Sequence, residues 1–198
     1  MTGMQITTER FVGEQSDPPY DERKAVRAFW LNHSIDLAFV LGGTWYGVTR
    51  YSGSVSVAMG IVLAGIFAWL FVEYLVHRWL LHGRKSPFRA VHARHHRYPH
   101  RTYSGPWWAH PLTAVSIWAA LAAALSGPLA ALIVVAMYSG YLYFRIVHQV
   151  THFYPRLMTG WYFQRLLRFH ALHHAHPGTH FGVATTLWDR VFGTFKKA

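Results

Sequence analysis

The 198-residue chain has no cysteine. Disulfides, thiolate metal sites, iron–sulfur clusters and thiol nucleophiles are therefore all excluded, and any metal must be held by nitrogen and oxygen. Charge is scarce as well. Only 14% of residues are charged and 52% are hydrophobic, too apolar a balance for an ordinary soluble domain. Acidic residues are the rarest: there are eight, five of them within the first 22 positions. That leaves few carboxylates to act as the general base that zinc hydrolysis uses. Strand-like alternation and low-complexity tracts are missing throughout. The net charge of +11 comes without any basic-aromatic nucleic-acid motif, so no nucleic-acid partner is expected. Residues 1 to about 30 are polar, carry Pro18 and Pro19, and lack the apolar core and cleavage site of a secretory signal. They are read as a cytosolic arm, with residues 31–198 forming one membrane domain.

Four apolar stretches follow the arm. The first runs from Ile35 to Thr49 and the second from Ser54 to Val76, with Arg50-Tyr51-Ser52-Gly53 as a turn between them. The third runs from about Trp107 to Leu125 and the fourth from Leu129 to Val147, joined by Ser126-Gly127-Pro128. A bilayer core of about 30 Å needs roughly 20 helical residues per crossing. The second and fourth stretches meet that length, whereas the first and third are marginal. The predicted fold is all-α: a membrane bundle of about four transmembrane helices in two hairpins, capped by a helical, histidine-rich cytosolic region. If all four cross, only Arg50 among the 19 Lys and Arg residues lies on the side away from the termini, which places the richer side in the cytosol.

That side also carries nearly all of the 15 histidines. Ten of them fall into four groups. These are His77 and His82, then His92, His95 and His96, then His148 and His152, then His170, His173 and His174. Residues three and four apart share a helix face, so each triplet is expected to point three imidazoles into one space. His77 and His82 are five apart, about 140° on a regular helix, and this pair predicts a kink, a bulge or a helix end near Leu80. Ten imidazoles exceed one metal's capacity, and two metals with about five nitrogens each would use them all. Imidazole suits iron, zinc, copper and nickel alike, but the shortage of carboxylates favours a redox metal. His33, His100, His110, His176 and His180 have no repeated spacing partner and are read as ordinary polar residues, although His176 and His180 are close enough in sequence to line the site.

Glu73 lies one turn before His77 inside an apolar helix, where an ionisable group is costly and usually paired. It is expected to orient a ligand histidine, with an ion pair to Arg145 or Arg78 as the alternative. Asp189 is a second candidate for the same role. Trp107, Trp108, Trp161 and Trp188 flank the apolar stretches and are read as interfacial anchors. The basic residues Arg84, Lys85, Arg89, Arg94 and Arg97 follow from topology, or could dock an acidic carrier or anionic headgroups.

These residues resemble the fatty acid hydroxylase and sterol desaturase superfamily over about residues 68–195. Glu73-Tyr74-Leu75-Val76-His77-Arg78 followed by His82 is similar to that family's first histidine box, and His92 to His100 to its second. Gly140-Tyr141 leading into His148 and His152 is similar to the third. His170-Ala171-Leu172-His173-His174, with Phe181-Gly182-Val183 and Trp188 to Thr194, is similar to the fourth box and the C-terminal signature. That ending looks most like fatty acid 2-hydroxylases. The resemblance implies an O2-dependent di-iron monooxygenase that hydroxylates a lipid acyl chain, with the 2-position of a fatty acid as the expected site. Desaturation, or hydroxylation of a sterol or carotenoid, are the alternatives with the same centre. It further implies two iron ions, replaceable by zinc on isolation, and a membrane lipid substrate. The first 30 residues leave no room for the cytochrome b5 domain fused to many relatives, so a separate cytochrome b5-like or ferredoxin-like electron carrier is expected. The expected location is integral to a membrane, a bacterial inner membrane ahead of the endoplasmic reticulum. Two other classes stand against this reading: a metal-binding or transport protein, whose ligands would line a path through the bilayer, and a bis-histidine haem protein, for which the triplets are surplus.

Overall fold

The structure, a computed structural model, describes residues 19–102 and 105–197. Of the arm expected over residues 1 to about 30, residues 1–18 lie outside the described residues. Seven α-helices follow in order: α1 (Glu22–Arg50), α2 (Val55–Leu75), α3 (Arg89–Arg97), α4 (Ala109–Ala122), α5 (Gly127–Phe153), α6 (Gly160–Ala175) and α7 (Leu187–Val191). The described residues contain no strand, in keeping with an all-helical fold.

Helix α1 starts well before the apolar stretch that suggested it. Asp21 caps it by accepting the Lys24 N–H at 3.0 Å, satisfying one of the donors a helix start leaves open. Residues 22–30, expected as part of the arm, therefore belong to this helix. Ser54 and Ser126 cap α2 and α5 in the same way, and Pro128 sits in the first turn of α5, where its missing N–H costs nothing.

Among the described residues, two helical segments are long and apolar enough to cross a membrane. They are Val55–Leu81, which is α2 with its continuation, and Gly127–Phe153, which is α5. At 1.5 Å per residue each spans about 40 Å. Helix α4, with 14 residues, reaches about 21 Å, short of a bilayer core. The surrounding structure covers the two long segments very differently. Only 6% of the most apolar window of Val55–Leu81 is buried, against 56% for Gly127–Phe153. An apolar helix left this bare in water would be a large uncovered patch; in lipid it is at rest.

Helix α5 is the hub, packing against α1, α2 and α4. Small residues let α2 come close: a Cβ added at Gly65 would lie 2.5 Å from the Ala136 methyl, and one at Gly140 would lie 2.6 Å from the Trp69 Cβ. Such close approach is how helices associate where lipid removes the hydrophobic drive between them. Helix α1 is tied to α5 by a buried polar cluster. Arg145 forms an ion pair with Asp36, which is fully buried, and the Tyr138 hydroxyl donates to the same carboxylate at 2.5 Å. Arg145 is thus paired with Asp36 and not with Glu73.

Candidate metal centre

Helix α2 does not stop at Leu75. It widens into a π-helical turn over Val76–Leu81, closed by the His82 N–H on the His77 carbonyl at 3.1 Å. A π turn bonds residue i to residue i+5, and this brings His77 and His82 onto one face with ring centroids 5.1 Å apart. The five-residue spacing that a regular helix could not accommodate is thereby explained.

All ten grouped histidines meet in two nests. The first holds His77, His82, His92, His96 and His173, and the second His95, His148, His152, His170 and His174. Within each nest the candidate ligand nitrogens lie within 4.8 Å of one another. The triplets do not act as units, contrary to the expectation from sequence. In His92-His95-His96 the i, i+4 pair enters the first nest and His95 enters the second. In His170-His173-His174 the i, i+4 pair enters the second and His173 enters the first. The cause is helical geometry: steps of three and four residues fall about 60° to one side and 40° to the other of the starting residue. A triplet therefore straddles two sites, and α3 and α6 each exchange one imidazole across the gap. His33, His100, His110, His176 and His180 lie outside both nests.

The nitrogens are spaced as a metal would space them. Nε2 of His92 lies 3.0 Å from Nε2 of His77, 3.0 Å from that of His82 and 3.1 Å from that of His96. In the second nest the His95–His148, His148–His152, His152–His170 and His170–His174 separations are 3.0, 3.2, 2.8 and 3.1 Å. Neighbouring nitrogens about 2.1 Å from a common ion and at right angles to each other stand about 3.0 Å apart. Hydrogen bonding alone does not account for this. A ring nitrogen has one proton or one in-plane lone pair, so His92 Nε2 cannot serve three partners. The donor set therefore fits two cations.

Protonation favours the same reading. Burial pushes His82 down to about 4, and the neighbouring His173 lowers it further. His174 is lowered to about 4 by burial and then His152. His173 falls to about 4 through burial, against the opposing pull of the Thr179 carbonyl. His95 and His96 are pushed to about 2 by burial and adjacent imidazoles. At neutral pH these rings are uncharged, the form that ligates a metal.

One loop orients both halves of the first nest. His77 Nδ1 donates to the Phe181 carbonyl at 2.5 Å, and His173 Nδ1 donates to the Thr179 carbonyl at 2.7 Å. A carbonyl only accepts, so both rings carry their proton on Nδ1 and turn the Nε2 lone pair inward. The two carboxylates hydrogen-bond to this loop and not to a histidine, so any orientation they give a ring passes through the loop. Asp189 accepts the N–H groups of Phe181 at 2.7 Å and Gly182 at 2.9 Å, and the Thr194 hydroxyl at 2.7 Å. Glu73 accepts the N–H groups of Val183 at 2.6 Å and Ala184 at 3.2 Å. Arg78, the other suggested partner of Glu73, donates to the Tyr74 hydroxyl. Gly182 is required where it is, because a Cβ there would lie 2.9 Å from the Asp189 carboxylate and overlap the Thr185 carbonyl. The orienting carbonyls of Thr179 and Phe181 were missed from sequence. Their only signal was Phe181-Gly182-Val183, a glycine beside an acidic partner eight residues downstream of Phe181.

The fatty acid hydroxylase family model matches residues 62–194, a span that contains all ten grouped histidines. The chain belongs to the fatty acid hydroxylase family. Among similar members of known function is a dihydroceramide fatty acyl 2-hydroxylase of Arabidopsis thaliana, 29% identical over 189 residues, which cover 84% of this chain and 76% of the relative. A fatty acid 2-hydroxylase of Macaca fascicularis is 30% identical over 163 residues, covering 74% of this chain but 42% of that longer protein. Among solved structures, full-length scs7p, of which only the hydroxylase domain is visible, superposes with a TM-score of 0.69. The match has 23% identity and covers 82% of this chain and 66% of that one. It shows that the hydroxylase fold is shared. Membership makes this chain an enzyme of monooxygenase type.

Of the expected tryptophan anchors, Trp107, Trp108 and Trp161 are exposed. Trp188 instead packs against Phe67 and Phe71 of α2 and against Phe192. It ties the C-terminal signature to α2.

Proposed function

We propose that the two nests hold two iron ions and that the protein hydroxylates a lipid acyl chain at the carbon next to its carbonyl. The observation that carries the metal part is the 3 Å spacing of Nε2 atoms within each five-histidine nest. The position of attack is supported by the relatives, a fatty acyl and a fatty acid 2-hydroxylase. In the balanced reaction one oxygen atom of O2 enters the C–H bond. The other leaves as water, taking two electrons and two protons from an external reductant. Bound iron supplies the reductive activation of O2 that an unactivated C–H bond requires. Zinc can occupy such nitrogen sites in isolated protein.

The chain's own residues position and protect. The Thr179 and Phe181 carbonyls fix two ring tautomers, and Asp189 and Glu73 keep that loop rigid. Burial of His77, His92, His170 and His173 excludes water from the nests. With α2 and α5 crossing and α1 and α4 packed beside them, the nests would lie at the cytosolic face, since Arg50 alone of the basic residues would lie opposite. Residues 31–198 then act as a single catalytic membrane domain in a bacterial inner membrane. A substrate dissolved in the bilayer would enter sideways, and a separate electron carrier would dock from the cytosol. A transport role is disfavoured by the gathering of every grouped histidine at one end of the helices.

Lipid mass spectrometry of cells with and without active protein tests this. A gain of one oxygen at the 2-position is expected. A loss of two hydrogens would make the protein a desaturase, and no lipid change would remove the proposal.

A further inference from the structure

A cavity of about 220 Å3 opens beside the second nest, and His95, His148 and His152 of that nest and His92 of the first form part of its wall. Phe88, Val91 and Phe153 supply apolar surface. Two polar side chains that ligate nothing also face it: Arg101 and Gln149.

Both are in an unusual state for residues beside a buried polar site. The Arg101 guanidinium lies 4.2 Å from the centroid of the Tyr98 ring and 4.9 Å from that of Tyr20. These two cation–π contacts fix the plane of its donor fork. The Tyr20 hydroxyl is itself held by the Thr102 N–H at 2.9 Å. The single ion pair among the described residues is Arg145 with Asp36, so among those residues Arg101 is a positioned cation with no carboxylate partner. Gln149 follows His148 on α5, and its amide has no hydrogen-bond partner among the described residues. A restrained guanidinium and an idle amide thus share a cavity with four candidate ligand imidazoles.

The geometry points to Arg101 and Gln149 as the head-group reader of the active site: Arg101 binds the free carboxylate of a fatty acid, and Gln149 donates to one of its oxygens. This inference rests on the proposed hydroxylation and deepens it by naming the substrate form. The carbon to be oxidised is bonded directly to the carboxyl carbon, so whatever grips the carboxylate must stand beside the metals. A planar fork suits two carboxylate oxygens, whereas a neutral N-acyl amide gives it one acceptor and no charge. An enzyme built around this pair prefers a fatty acid to an N-acyl lipid such as the dihydroceramide in the relative's name. A site made to hydrogen-bond one head group discriminates strongly against another that leaves its donors unpaired.

The test is equilibrium binding, without reductant or turnover, of decanoate and decanamide to the metal-loaded protein in nanodiscs, read by calorimetry. The wild type is expected to bind decanoate about tenfold or more tightly than decanamide. Arg101→Leu should erase that difference by weakening decanoate far more than decanamide. Gln149→Leu should weaken both probes, because both present a carbonyl oxygen. Equal binding of the two probes by the wild type overturns the proposal without any variant, so a variant that fails to fold does not protect it. A loss by Arg101→Leu that is the same for both probes overturns it as well, since it marks a structural role. Because nothing turns over, failure here leaves the hydroxylation reading intact, and selective binding without hydroxylation would count against that reading alone.

Discussion

Asp189 accepts the backbone N–H of Phe181 at 2.7 Å, and the carbonyl of that same Phe181 receives the Nδ1 proton of His77 at 2.5 Å. The carboxylate thereby controls an imidazole it never touches. Asp189→Asn places an amide N–H where an acceptor was, and the loop must turn to escape it. The expected result is a metal affinity about 10- to 100-fold lower with helix content retained, measured by chelator competition alongside circular dichroism. Unchanged affinity would mean that the loop orients nothing.

The split triplets make a prediction that grouping by sequence would not. His95→Ala removes a nitrogen from the second nest, and His96→Ala, its chain neighbour, removes one from the first. Each variant should lose the metal of its own nest preferentially. The double variant should lose more than either, because the two lesions are in different sites. Anomalous diffraction at the metal edge distinguishes the two positions, and depletion of the same site in both variants would contradict the assignment.

The histidine protonation states give a pH dependence with a definite sign. His82, His173 and His174 have folded values near 4, below the unfolded value of about 6.5. Between those values the unfolded chain binds more protons than the folded one, so stability rises with pH. Their contribution is fully present above about 6.5 and is lost progressively as pH falls toward 4. The chelated protein in detergent should therefore show a falling melting temperature through that window. Bound metal competes with the same protons, so metal release should steepen the loss. A melting temperature flat from pH 7 to pH 4.5 would contradict these depressed values.

Arg145 and Asp36 test how α5 is held. Arg145→Leu leaves a fully buried carboxylate without its cation, an effect of about 3–5 kcal/mol. Asp36→Asn combined with Arg145→Leu removes the stranded charge and should recover most of that loss. Thermal unfolding of both variants checks this, and equal destabilisation would show that the pair acts through packing alone.

Much of the site was legible because ligand chemistry repeats along the sequence. Each pair and triplet carries its spacing openly, and the odd five-residue step from His77 to His82 signalled a break in helical regularity that proved to be a π turn. The assignment of His95 and His173 to the opposite nests was not legible. It depends on α3 and α6 facing the gap from two sides, which no local spacing records. Glu73 and Asp189 were recognised as important, but their partners are backbone N–H groups, which are identical at every residue and leave no trace in sequence. The start of α1 was missed because its first turns are polar; a cap at Asp21 begins the helix, whereas the hydropathy pattern marks only where it becomes apolar. Trp188 read as an anchor because tryptophan near an apolar stretch usually is one, yet α7 turns it onto α2.

Metal analysis of the purified protein, combined with X-ray absorption at the metal edge, goes to the heart of the two-nest site. Two ions per chain are expected, each surrounded by about five nitrogens at about 2.1 Å and without a Soret band in the optical spectrum. One ion per chain, an oxygen-dominated shell, or a haem spectrum would contradict it.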